Sequence, residues 1–159
     1  MNSALICVGR LKERYWREAA AEYEKRLTRF GRFETIELPD LPEPANSSPA
    51  IERQICQREG EAILARIRAD DVVIALCIEG KTCSSEELSR RMADFAVAGK
   101  TQLTFLIGGS VGLDETLKRQ ADWRLSMSPM TFPHHLARIM LLEQIYRAYQ
   151  IEQGTKYHK

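Results

Sequence analysis

Short apolar runs alternate with segments of helical period along the whole chain. Residues 4–8, Ala-Leu-Ile-Cys-Val, have the length and composition of a buried strand that Gly9 ends. Residues 12–30 repeat apolar side chains at helical spacing, which predicts a helix with Tyr15, Trp16, Ala19, Ala20, Tyr23 and Leu27 toward the core and Gly31 as its stop. Phe33 to Leu38 alternates imperfectly with Glu34 and Glu37 and reads as a more exposed strand. Pro39, Pro42, Pro44 and Pro49 mark residues 39–49 as a loop. A second helix is expected over residues 50–68 through Ile51, Ile55, Ile63, Leu64 and Ile67. Asp70 and Asp71 turn the chain into Val72 to Ile78, a continuous apolar run of the kind found in central parallel strands. Glu79-Gly80-Lys81 reads as the loop that follows. Ser84 and Glu87 have capping-box spacing for a helix to about residue 97, and Gly99 stops it. Leu103 to Ile107 is the next buried strand, followed by a short helix over about residues 113–120 and a short strand at residues 123–125.

The last long helix is expected from Pro133 to about Ile151. It is apolar nearly all round, through Leu136, Ile139, Met140, Leu141, Leu142, Ile145, Tyr146, Ala148, Tyr149 and Ile151. One stripe would dock it on a sheet. The excess implies burial on two sides, within the domain and across a subunit interface. Glu143 and Arg147 stand one turn apart and can pair, which an arginine in such surroundings requires. The alternation of strand and helix predicts an α/β fold with a mainly parallel sheet in one domain over residues 1–159.

Composition changes this picture little. With 44% hydrophobic and 28% charged residues the chain is an ordinary globular sequence of near-neutral net charge, +1. Charge is uneven: residues 1–33 carry eight arginines and lysines from Arg10 to Arg32 against Glu13, Glu18, Glu22 and Glu24. A polyanion partner on that face is one reading. A solvated helix laced with pairs such as Glu13–Arg17 and Glu22–Arg26 is another. No apolar run reaches membrane-spanning length, and the first residues do not read as a secretory leader. Cys7, Cys56, Cys77 and Cys83 lack the spacing of a zinc site, and no metal is expected. The expectation is a reduced, cytoplasmic protein.

Two loops carry candidate chemistry. Gly108-Gly109-Ser110-Val111-Gly112 follows a late strand and matches neither the dinucleotide fingerprint nor the P-loop. Glycines at a strand end permit close backbone approach to a ligand, and a tight turn without ligand is equally open. Met127-Ser128-Pro129-Met130-Thr131-Phe132 is the second. Its irregular backbone would leave N–H and C=O groups free between apolar walls, as an adenine-like ring requires, though an ordinary connection would read the same. His134 and His135 adjoin a helix N-terminus, where the positive helix end favours the neutral imidazole; being adjacent, at most one faces a pocket.

Several pieces together resemble a known family. They are Ala75-Leu76-Cys77-Ile78-Glu79-Gly80-Lys81, Leu106-Ile107-Gly108-Gly109 with Gly112-Leu113, Leu125-Ser126 with Met130-Thr131-Phe132-Pro133-His134, Glu143-Gln144-Ile145-Tyr146-Arg147-Ala148, and Tyr157-His158-Lys159. In order and spacing the whole chain resembles the RlmH family of SPOUT methyltransferases. The resemblance implies an α/β knot, in which the C-terminal segment threads a loop as a trefoil, an exception to the un-knotted rule. It implies S-adenosyl-L-methionine as cofactor, held by Leu76, Gly108 and Met127, Ser128, Pro129, Met130, Thr131 and Phe132. It implies a homodimer that methylates N3 of a pseudouridine in 23S rRNA of the large subunit, on the assembled ribosome. Arg147, Tyr157 and His158 become the catalytic candidates, with the tail reaching into the partner subunit's pocket, and His134 is a weaker one. With no appended RNA-binding domain, residues 1–33 and the lysine-bearing tail become the expected RNA-facing surface. Methylation of transfer RNA or another base, and a nucleotide- or RNA-binding module without catalysis, are the competing readings.

Overall fold

The computed structural model describes all residues, 1–159. Ten elements alternate: β1 (Asn2–Val8), α1 (Arg14–Leu27), β2 (Phe33–Leu38), α2 (Pro49–Leu64), β3 (Val72–Thr82), α3 (Ser85–Val97), β4 (Gln102–Ile107), α4 (Glu115–Gln120), β5 (Trp123–Ser126) and α5 (His134–Glu152). The five strands form one sheet in the order β2-β1-β4-β3-β5, and every pairing is parallel.

Alternation along the strands builds two cores, because successive side chains leave opposite faces of a sheet. On one face Leu5, Cys7, Ile74, Phe105, Ile107 and Leu125 pack with Leu88 and Met92 of α3 and with Leu141, Leu142 and Ile145 of α5. On the other, Ile6, Val8, Ala75 and Leu106 pack with Ile63 of α2 and Leu117 of α4. The central strands β1, β4 and β3 therefore read as unbroken apolar runs, whereas the edge strand β2 buries only Leu38 fully.

Local chemistry sets the helix starts. Ser48 accepts from the Ile51 N–H with Pro49 in the first turn, and Ser84 accepts from the Glu87 N–H as the capping box requires. Asp114 caps the short α4 through the N–H groups of Thr116 and Leu117.

Helix α5 lies against the sheet between α1 and α3. That position accounts for much of its all-round apolarity inside one chain. The strip left half-exposed includes Leu136, Met140, Glu143, Gln144 and Arg147.

Three expectations are corrected. Tyr15 points outward, 63% exposed, because Trp16, Ala20, Tyr23 and Leu27 take the core face of α1 and Tyr15 falls beside that stripe. Arg17 does not pair with Glu13; its guanidinium turns back onto the carbonyls of Leu11 and Lys12, while Arg14 pairs with Glu18 at 2.6 Å. The expected Glu22–Arg26 pair forms, at 2.8 Å. Finally, Glu79-Gly80-Lys81 is no simple loop. β3 resumes pairing at Lys81, so that Leu76 and Lys81 both face Leu125 and the residues between them bulge away.

Candidate active site

The C-terminal ends of β3, β4 and β5 converge on one groove, where parallel α/β sheets place their ligand sites. Its cavity measures about 230 Å³. Leu76, Cys77, Ile78 and Glu79 form one side, the glycine loop with Ile107 and Leu113 the floor, and the loop after β5 the other side, with His134 and Ala137 closing the end. The structure thus brings Leu76, Gly108, Met127, Ser128, Met130, Thr131 and Phe132 to one place. Pro129 belongs to the same loop but does not line the cavity.

The glycine loop folds back on itself. Gly109 and Gly112 form a bridge, with the Gly112 N–H donating to the Gly109 carbonyl at 3.0 Å. A Cβ on Gly108 would lie 2.4 Å from the Gly112 carbonyl carbon, so no other residue fits without opening the loop. Gly112 supplies the left-handed turn at φ 81°. Beneath the loop sits Glu59, 5% exposed. One of its oxygens accepts from the Leu41 N–H at 3.1 Å and the other has no partner. Burial pushes this carboxyl above the ordinary range.

The opposite loop is pinned through serines. Ser126 donates to the Ser128 carbonyl at 3.1 Å, and Ser128 Oγ accepts from the Met130 N–H at 3.0 Å. The main-chain N–H groups of Gly108, Met127, Thr131 and Phe132 make no hydrogen bond within the chain. Their residues line an apolar slot with Leu76, Ile107 and Leu113 around it. Unsatisfied backbone donors between apolar walls suit a flat, polar-edged ring such as adenine. The residues present fit a nucleoside-type cofactor.

Lys118 spans the rim. Its ammonium, 12% exposed, pairs with Glu79 and, at 2.7 Å, with Glu115. Desolvation opposes its charge, but the two carboxylates outweigh it and raise its pKa. Lys118 in turn, by donating to Glu79, holds that carboxyl low. Sequence reasoning missed Lys118 and Glu79 as site residues; the pair joins α4 to β3 across the sheet, a contact that no local spacing encodes.

His134 sits with its ring against Gly9 and reaches the groove, whereas His135 turns to Trp16, ring centroids 5.0 Å apart. The two rings meet edge to face, centroids 5.4 Å apart, and only His134 lines the groove. Desolvation, then His135 and Arg138, lower the His134 pKa against a smaller pull from Asp40, so the ring is neutral near pH 7.

The other candidates gather elsewhere. Glu143 receives Arg147 at 3.0 and 2.5 Å, and Tyr157 donates to the same oxygen at 3.2 Å. The Arg147 guanidinium lies over the Tyr157 ring at 4.9 Å. His158 Nε2 meets Glu86 at 2.9 Å and its Nδ1 faces Arg147 at 3.4 Å, a set satisfied when Nε2 carries the proton. Burial, then Glu143, pushes the Tyr157 phenol up to about 12. The tail is therefore docked on α5 and α3 of its own chain. From His134 to Arg147 the helix advances about 20 Å, so within one chain this cluster and the groove do not meet.

One buried cation was absent from the sequence reading. Arg138, 6% exposed, pairs with Glu37 of β2 at 2.7 Å behind the His pair. Its helical neighbours are apolar, and the partner is 101 residues away. No group of His, Cys, Asp and Glu side chains is arranged to hold a metal ion. No helix is long and apolar enough to cross a membrane.

Comparison with known proteins agrees with this geometry. Proteins from Leuconostoc citreum and Streptococcus suis, each 49% identical over the full length of both chains, carry the name ribosomal RNA large subunit methyltransferase H. So does one from Bifidobacterium adolescentis, also at 49% over full length. A solved structure of a probable methylase family protein from Haemophilus influenzae Rd KW20 superposes with TM-score 0.51 over 99% of this chain and 70% of that one, at 14% identity, a likeness of fold. The family described as "Predicted SPOUT methyltransferase" matches residues 1–158, and the chain belongs to that family of methyl-transferring enzymes.

Proposed function

We propose that this enzyme transfers a methyl group from S-adenosylmethionine to large-subunit ribosomal RNA, at N3 of a pseudouridine, and that it works as a homodimer on the ribosome. Full-length identity of 48–50% to relatives named for ribosomal RNA methylation carries the substrate class. The free main-chain donors around the apolar slot support the cofactor.

When bound, the cofactor supplies a methyl already activated on a sulfonium. The chain's task is then to align, to exclude water and to handle one proton. In this reading the N–H groups of Met127, Thr131 and Phe132 hold the purine edge, Leu76 and Met130 cover its faces, and bare Gly108 lets the backbone come close. The C-terminal segment threads the β3 bulge as a trefoil; the close passage of Gly80 over the Arg124 and Leu125 backbone, where a Cβ would lie 2.8 Å away, supports this path.

The N3 imide must lose its proton as the methyl arrives. The partner subunit's tail completes the site: Arg147 stabilises the forming anion, Tyr157 orients the base as a hydrogen-bond donor, and His158 accepts the proton. Glu143 holds Arg147 in place and fixes Tyr157 as a neutral phenol. His134, neutral and at the groove's end, is a second acceptor.

Labelled cofactor incubated with unmethylated ribosomes, large subunits and free rRNA, followed by mass spectrometry of the nucleotides, tests the reaction. Label on a pseudouridine supports it, and no label in any sample refutes it. Mixing Gly108→Ala with His158→Ala tests the shared site. If the tail serves the other subunit's groove, two inactive variants recover about a quarter of the wild-type rate after subunit exchange. No recovery, with exchange demonstrated, places the tail outside the partner's site.

A further inference from the structure

Beside the groove lies a second concavity of about 550 Å³ that shares Glu79 and Lys118 with it. Four elements meet there. β3 contributes Lys81, α3 Arg91, α4 Arg119 and β5 Arg124, around the edge of Trp123. With Lys118 this makes five cationic side chains against the carboxylates of Glu79 and Asp122. In a chain of net charge +1 such convergence is a local feature rather than general basicity.

The acids there are already engaged. Glu79 holds Lys118, and Asp122 accepts the Val73 N–H at 2.8 Å. Lys81, Arg91, Arg119 and Arg124 form no ion pair. Of the arginines elsewhere, Arg14, Arg26 and Arg147 are matched within their own helices, to Glu18, Glu22 and Glu143. Arg91 is also pre-positioned: its guanidinium stacks over the Trp123 indole at 4.2 Å, which fixes the fork and reduces the entropy lost on binding an anion.

We propose that this concavity binds the phosphodiester backbone of the RNA substrate, on the nucleotides flanking the one held at the groove. The inference rests on the reading of the enzyme as an RNA methyltransferase and moves the RNA-facing surface from α1 to the β5 edge of the sheet. Guanidinium forks suit phosphate oxygens bidentately, and backbone contacts fix position while the target base is read in the groove. The shared Glu79–Lys118 wall puts the two sites side by side, so one strand can occupy both.

The test compares wild type, the double variant Arg119→Glu/Arg124→Glu, the single variant Lys81→Gln, and an α1 comparator, Lys25→Glu/Arg29→Glu. All are at exposed positions. Methyl transfer to unmethylated ribosomes is measured across a salt series, and S-adenosylmethionine binding by calorimetry. The double variant raises KM for ribosomes by about tenfold or more, and the slope of log KM against log salt falls by about 0.7 to 0.9 for each phosphate contact removed. Lys81→Gln shows the same effect at smaller size should the double variant fold poorly. Cofactor affinity stays within about twofold. Unchanged KM and salt slope in an active double variant overturn the proposal. So does a loss confined to the α1 comparator, and so does weakened cofactor binding with unchanged ribosome KM, which would make the concavity a cofactor carboxylate site. A wild-type enzyme that labels no RNA overturns the functional reading instead.

Discussion

Replacing Gly108 by alanine perturbs the groove at one atom. The new Cβ would lie 2.4 Å from the Gly112 carbonyl carbon, 2.5 Å from its oxygen and 2.7 Å from the Leu113 nitrogen. All three neighbours are backbone atoms, so no side chain can swing away. Relief requires the Gly109–Gly112 bridge to open, which forfeits its hydrogen bond, about 1 kcal/mol, and adds overpacking of about 1–3 kcal/mol. A total near 3 kcal/mol lowers the melting temperature of a domain this size by about 6–12 °C. The same opening displaces the floor of the groove, so S-adenosylmethionine binding falls by tenfold or more, about 1.4 kcal/mol. Two controls separate space from conformation. Gly112→Ala and Gly99→Ala meet nothing within 4 Å but force alanine to φ of +81° and +82°, at about 1–2 kcal/mol each. Gly99 lies at the end of α3, away from the groove, so its variant melts lower yet binds cofactor normally. Differential scanning calorimetry and isothermal titration read both quantities. A Gly108→Ala protein that melts within a degree of wild type and binds cofactor equally would refute the account of the loop.

Three further expectations follow from the buried and coupled groups. Arg138→Ala strips the partner from Glu37 and leaves a gap beneath the His pair, costing about 2–4 kcal/mol in chemical denaturation; a smaller effect than a surface ion pair gives would contradict the burial. Tyr157 titrates at about 12 in ultraviolet difference spectra, and Glu143→Gln brings it down only part of the way because burial is the larger cause; its raised pKa means that tail docking is intact below the free-phenol value near 10 and is lost as pH rises through about 12. Glu59 is a carboxyl with a raised pKa, so its neutral form stabilises the fold at low pH and that contribution is lost as pH rises through the folded value; Glu59→Gln therefore gains on wild type in melting temperature from pH 4 to pH 8, and a pH-independent difference would refute the assignment.

The elements themselves were largely legible because each core strand is an unbroken apolar run and each helix carries its own cap or stop. Leu103 to Ile107, Val72 to Ile78 and Ser84 with Glu87 needed no tertiary context. What failed depended on partners distant in sequence. The end of β3 reads as a polar loop, Glu79-Gly80-Lys81, because its strand character comes from pairing with β5, more than forty positions later. Arg138 was invisible for the same reason, since its charge is answered from β2. Tyr15 was misplaced because two adjacent aromatics cannot both centre on one helix face, and the sequence does not say that Trp16 takes it. The groove residues fared better: the Gly-Gly-x-x-Gly loop and the Met127 to Phe132 loop each announce unusual backbone, and both follow strands whose ends a parallel sheet brings together.

The division of charge explains why the proposed phosphate surface differs from the one expected from the sequence. A count along the sequence finds the cations of residues 1–33 because they are contiguous. In space Arg14, Arg26 and Arg32 face Glu18, Glu22 and Glu34, Arg17 turns to two carbonyls of its own turn, and the unpaired remainder, Arg10 and Lys12 against Lys25 and Arg29, lies at opposite ends of α1 rather than on one wall. Lys81, Arg91, Arg119 and Arg124 are scattered over more than forty positions, and each read alone is an ordinary solvated side chain. The sheet order β4-β3-β5 with α3 and α4 flanking it folds them into one wall beside the groove. An electrostatic footprint is set by which charges remain unanswered after folding, not by which lie close in sequence. On that criterion the β5 edge, next to the groove's rim, is the surface a phosphate backbone meets.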